Sequence, residues 1–67
     1  MLEANVVAKR LVKLRANSSR DCVARAVGIS YSALSMYETG ARVPRDDIKV
    51  ALAKYYNTTV QEIFFDA

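Results

Sequence analysis

Bond-making chemistry has little to draw on in this chain. There is no histidine and a single cysteine, Cys22. The usual nucleophile–base pairs, the usual Cys/His zinc sites and an intrachain disulfide therefore cannot be assembled. No glycine-rich phosphate loop occurs. The adjacent carboxylates Asp46 and Asp47 follow Pro44 where a helix should begin, and the positive end of that helix accounts for them. No catalytic residue, metal ligand or cofactor is expected. What remains is hydrogen-bonding, apolar and cationic chemistry, concentrated in "SYSALSMYETGARVPR", residues 30 to 45. Ser30, Ser32 and Ser35 are interleaved there with Tyr31 and Met36, and Thr39, Arg42 and Arg45 follow. Hydroxyls, a thioether, a phenol ring and guanidiniums are binding groups.

Charge points the same way. Residues 1 to 45 carry eight basic residues against three acidic ones, a net of +5, whereas residues 46 to 67 carry two against four, a net of −2. A basic portion on a small chain suggests a polyanion partner. The first fifteen residues, "MLEANVVAKRLVKLR", are interrupted by Glu3 and four basic residues, which does not fit a signal peptide. No run approaches the ~20 apolar residues of a membrane span. A cytoplasmic protein with a reduced thiol is the expectation. Cys22 itself reads as a small packed or half-exposed residue on a helix. Sixty-seven residues suit one domain, 1–67, stabilised by helix packing, with or without a dimer partner.

The elements that must hold these groups are all helical. Val7, Leu11 and Leu14 recur at i, i+4, i+7 and predict a first helix over residues 3 to 16. "NSS" ends it, and Ser19, or Ser18 with Asp21, can cap a second helix that turns Val23, Ala24 and Val27 inward and stops at Gly28. Ser30 caps a third helix, with Leu34 and Tyr37 inward and Gly40 at its end. Pro44 suits the first turn of a fourth helix, whose expected buried stripe is Ile48, Ala51, Leu52 and Tyr55. Thr58 with Gln61 suggests a capping box for a short fifth helix that buries Val60, Ile63 and Phe64. The fold class is all-α, a compact five-helix arrangement.

Between the second and third helices the residue types are those of a helix-turn-helix. Ala24 allows the two helices to approach, Gly28 tolerates a positive φ in the turn, and Leu34 and Tyr37 hold the second of the pair to the core. With "VARAVGIS", "SALSMYETGARVP" and "NTTVQEIFF" in one register, residues 19 to 65 resemble the Cro and lambda-repressor-like helix-turn-helix family, also called the xenobiotic-response-element type. The resemblance implies that helices 2 and 3 form the motif, with helix 3 in the DNA major groove and helix 2 across the backbone. "RANSSR" is shorter than the family's usual connection between the first two helices. Arg20 stands where the family commonly has a glutamine that touches phosphate or supports the reading helix.

Leu34 and Tyr37 define the inward side of helix 3, so Tyr31, Ser32, Ser35 and Met36 point away, onto the face that the family uses for base contacts. Ser32 can donate or accept at a base edge, and Tyr31 and Met36 favour thymine methyls. The plainer reading makes Tyr31 and Met36 ordinary exposed apolar residues or dimer contacts. By resemblance Arg20, Thr39, Arg42 and Arg45 are DNA backbone contacts, Arg45 assisted by the free N–H groups of helix 4; solubility is the plainer reading of each arginine. Also by resemblance, Arg15 and Glu38 form an ion pair between helices 1 and 3 that positions the reading helix.

The function expected is a sequence-specific transcriptional regulator, a repressor, that binds a palindromic or pseudo-palindromic operator in double-stranded DNA as a homodimer. Phe65 is a candidate dimer contact, or a lid on its own core. An antitoxin or anti-regulator whose main partner is another protein is the alternative, and a nonspecific nucleic-acid binder is a further rival, with steep salt dependence and no sequence preference.

Overall fold

The computed structural model describes residues 2–65. Five helices follow in chain order: α1 (Ala4–Arg15), α2 (Arg20–Val27), α3 (Tyr31–Thr39), α4 (Asp46–Tyr55) and α5 (Val60–Phe64). There is no strand among the described residues. All five contribute to one apolar cluster: Val7 and Leu11 from α1, Val23 and Ala24 from α2, Leu34 and Tyr37 from α3, Leu52 and Ala53 from α4, and Ile63 and Phe64 from α5.

Polar capping sets most of the boundaries. Ser19 Oγ accepts from Cys22 N at 3.1 Å, and Ser30 Oγ accepts from Ala33 N at 3.0 Å; each satisfies an N–H that the first turn leaves free. Gly28 (φ 87°) and Gly40 (φ 82°) end α2 and α3 in the left-handed region. At Gly40 the left-handed φ is what calls for glycine, since a Cβ there would make only an ordinary contact, 3.4 Å from Asn5 Cα. The short link after α1 closes as a tight turn: Ser18 N donates to Arg15 O at 3.0 Å, and Ala16 takes φ 51°, ψ −117°. Those angles match the first central position of a type II′ turn, where glycine is the usual residue.

Four expectations need correction. Leu14 is 37% exposed because the next inward place after Leu11 falls to Arg15, one helical turn on, which is needed by a buried carboxylate described below. Pro44 is buried but lies outside α4; Arg45, in extended conformation, is the N-cap. The inward track of α4 passes through Ile48, Leu52 and Tyr56, so Tyr55 is 42% exposed and its ring meets that of Tyr56 edge-on, with centroids 5.2 Å apart. Thr58 does not cap α5. Its N–H donates to Ala53 O and that of Asn57 to Lys54 O, a Schellman closure around Asn57 at φ 56°. The cap passes to Thr59, whose Oγ1 accepts from Glu62 N at 3.1 Å. The capping-box partner is therefore Glu62 in place of Gln61.

The two ends of the chain are tied together beside this core. Leu2 N donates to Phe64 O at 2.9 Å, and Arg10 Nη1 donates to Glu62 O at 2.7 Å and to Phe65 O at 3.1 Å. No described helix is long and apolar enough to cross a membrane.

Candidate nucleic-acid interface

Helix α3 is presented by packing on one side only. Leu34 and Tyr37 are buried three residues apart, and α3 lies against both α1 and α2. The opposite side begins with Tyr31, 53% exposed, and the exposed Ser32. Ser35 and Met36 flank it half-buried. The four residues expected at a base edge thus share one face, with its N-terminal half the more open.

Beyond α3 the cationic groups are accessible. Thr39 is exposed, and its hydroxyl donates back to Met36 O at 3.3 Å. Arg42 is exposed. Arg45 caps α4 through its backbone, and its side chain reaches Asp47 Oδ1 at 3.5 Å with 80% of its surface open. A pair so exposed contributes little, roughly 0–1 kcal/mol, so the guanidinium remains available. Cys22 is an exposed free thiol on α2.

The strongest polar feature lies beneath the face. Glu38 has no exposed side-chain surface and is held from two helices. Arg15 Nε donates to both of its oxygens, at 3.0 and 2.9 Å, and Arg20 Nε donates to Oε1 at 2.8 Å. Arg15 Nη1 also donates to Ser18 O at 2.7 Å, so the same side chain clasps the turn after α1. A buried carboxylate needs such partners, because an uncompensated charge removed from water costs several kcal/mol. The cluster fixes the C-terminal half of α3 to α1 and to the start of α2.

Arg15 and Glu38 are thus paired across α1 and α3. Arg20, expected at a DNA phosphate, also pairs with Glu38 while 28% of its side chain stays exposed, and its Nη1 lies 3.4 Å from Ser35 Oγ. The hydrogen bond to Glu38, and next the Tyr31 hydroxyl, hold its guanidinium more firmly protonated than an ordinary arginine. Sequence spacing gave no sign of this, since Arg20 and Glu38 are 18 residues apart.

Two further groups were not singled out by the sequence. The Tyr56 hydroxyl is buried with no hydrogen-bond partner among the described residues. Burial, and next the charge of Glu38, push its pKa up to about 12. Lys49 Nζ sits over the Phe64 and Phe65 rings, 5.8 and 5.9 Å from their centroids. The place of Lys49 next to Ile48 and one helical turn before the buried Ala53 was the available signal for it. Phe65 itself is half-buried and packs against the core. Among the described residues no group of three or more His, Cys, Asp or Glu side chains could hold a metal ion.

Comparison with known proteins agrees with this architecture. No curated protein matches the chain. The family model of the helix-turn-helix domain matches residues 6–63, spanning α2, the turn at Gly28 and α3. With nearly the whole chain covered and five helices in this order, the chain belongs to the helix-turn-helix domain family, in its Cro and lambda-repressor-like form.

Proposed function

We propose that this protein is a sequence-specific transcriptional regulator, a repressor, that binds a palindromic or pseudo-palindromic operator as a homodimer with α3 in the major groove. The observation that carries the reading is the contrast between the two sides of α3. One side is locked by Leu34, Tyr37 and the buried Glu38, and the other offers Tyr31 and Ser32 to solvent. A helix held this firmly, with hydroxyl and aromatic groups outward, suits direct contact with base edges. Tyr31, Ser32, Ser35 and Met36 are assigned to bases. Thr39, Arg42 and Arg45 are assigned to phosphates on the flank, and the part-exposed Arg20 to a phosphate at the start of α2. A single copy makes few base contacts, so specificity calls for two half-sites about one helical turn, ~34 Å, apart. Phe65 is the candidate dimer contact. Binding-site selection from random duplex DNA tests the proposal. An enriched sequence with two related half-sites is expected. A pool with no enrichment contradicts it and favours the protein-partner alternative, which has Val6, Val12 and Leu14 exposed on α1 in its support.

A further inference from the structure

Two cations of the basic N-terminal portion take no part in the contacts described above. Lys9 and Lys13 are exposed on α1, one helical turn and about 6 Å of helix apart. Neither has a hydrogen-bond or ion-pair partner among the described residues. Their neighbours are engaged, Arg10 on the carbonyls of Glu62 and Phe65, and Arg15 on Glu38. Both lysines line a cleft of about 390 Å³ between α1 and the end of α3, and Thr39 lines it from α3. Thr39 follows Ser32 by seven residues and Ser35 by four, so it continues their side of the helix, and the cleft borders that side. Ala8 and Val12 give the cleft an apolar floor, with Val12 40% exposed. Glu38 also lines it, but two guanidiniums, Arg15 and Arg20, meet that one carboxylate and leave the cluster with a net charge of +1. Nothing in the cleft repels an anion.

We propose that α1 is a further DNA-backbone element, in which Lys9 and Lys13 take phosphates of the strand that passes Thr39 while Val12 packs on its deoxyribose. The inference rests on α3 facing the DNA, as proposed above. An ammonium on a flexible stem meets a phosphate as a point charge and needs no fixed fork. Contacts of this kind carry no sequence information. They extend the electrostatic footprint beyond α3 and its following loop, and they fix the orientation in which α3 enters the groove.

The test is duplex affinity across a range of salt concentrations, with the full chain, the double variant Lys9→Gln/Lys13→Gln, and Lys54→Gln. Lys54 is an exposed lysine on α4, outside the cleft and without a partner among the described residues, so it controls for net charge alone. The double variant should lower the slope of log affinity against log salt by about 2, one for each phosphate released. It should weaken the selected operator and a scrambled duplex alike, and Lys54→Gln should leave the slope unchanged. Neutral methylphosphonates placed singly along the operator then locate the contacts. The natural chain should lose affinity at positions where the double variant loses no more. An unchanged slope in the double variant, an equal drop in Lys54→Gln, or methylphosphonate penalties that persist in full in the double variant would overturn the proposal and leave the regulator reading intact. If selection enriches no sequence, a slope that still drops by about 2 on the scrambled duplex keeps the α1 contacts while the sequence-specific reading falls. A natural chain that binds no duplex overturns both.

Discussion

Arg15 holds both oxygens of Glu38, at 3.0 and 2.9 Å, on a carboxylate with no exposed surface. One hydrogen-bonded pair thus joins the first helix to the third, and the turn after α1 hangs from the same guanidinium. Replacement of Glu38 by glutamine should be severely destabilising, about 3 kcal/mol or more, because two guanidiniums then face a neutral group. Arg15→Met should cost more than Arg20→Met, since Arg15 also holds Ser18 O. Urea denaturation of the three variants checks the order. A Glu38→Gln protein as stable as the natural one would remove the cluster from the account of the fold.

The turn that Arg15 closes carries a strained residue. Ala16 occupies a backbone region at φ 51°, ψ −117° that alanine enters only at a cost. Ala16→Gly should therefore stabilise the protein by about 1 kcal/mol in spite of glycine's greater freedom when unfolded. Thermal unfolding reads this directly, and a lowered melting temperature would contradict the strain.

Tyr56 gives a prediction in pH. Its hydroxyl has no partner among the described residues and its pKa is pushed up to about 12 in the fold, against roughly 10 in an unfolded chain. The neutral form is thus favoured by folding. Its contribution is fully present below pH ~10 and is lost as the pH rises through ~12. Tyr56→Phe should remove that part of the alkaline loss. At pH 7 it should leave stability unchanged or raise it by up to about 1 kcal/mol, because an unsatisfied hydroxyl is deleted. A clear loss of stability at pH 7 would mean that the hydroxyl has a partner.

Much of this arrangement could be read from residue types close together in sequence. Ser19, Ser30, Gly28 and Gly40 mark the helix ends through local backbone chemistry, and Leu34 and Tyr37 give the inward side of α3. The errors arose where a position answers to something distant. Leu14 lost its inward place because Arg15 serves a carboxylate 23 residues away. Thr58 was drawn into the closure of α4, which moved the cap of α5 to Thr59. The pairing of Arg20 with Glu38 was not legible either, because it follows only once α2 and α3 have packed.

Arg45 should behave as a phosphate contact. Its side chain is open, and the nearby Asp47 pairs with it only weakly at 3.5 Å. Arg45→Ala should weaken binding to all duplexes alike and lower the slope of log affinity against log salt by about 1. An unchanged slope would remove Arg45 from the set.

The central claim is that the open side of α3 reads bases, and Ser32 tests it most directly because it is exposed and its side chain makes no hydrogen bond among the described residues. The decisive measurement is the affinity of Ser32→Ala and of the natural chain for the selected operator and for a scrambled duplex, at one salt concentration. Loss of a base-edge hydrogen bond should weaken operator binding by roughly five- to tenfold and leave the scrambled duplex unchanged. Equal affinities for the natural and variant chains on the operator, or equal losses on both duplexes, would contradict the reading of α3 as the base-contacting helix.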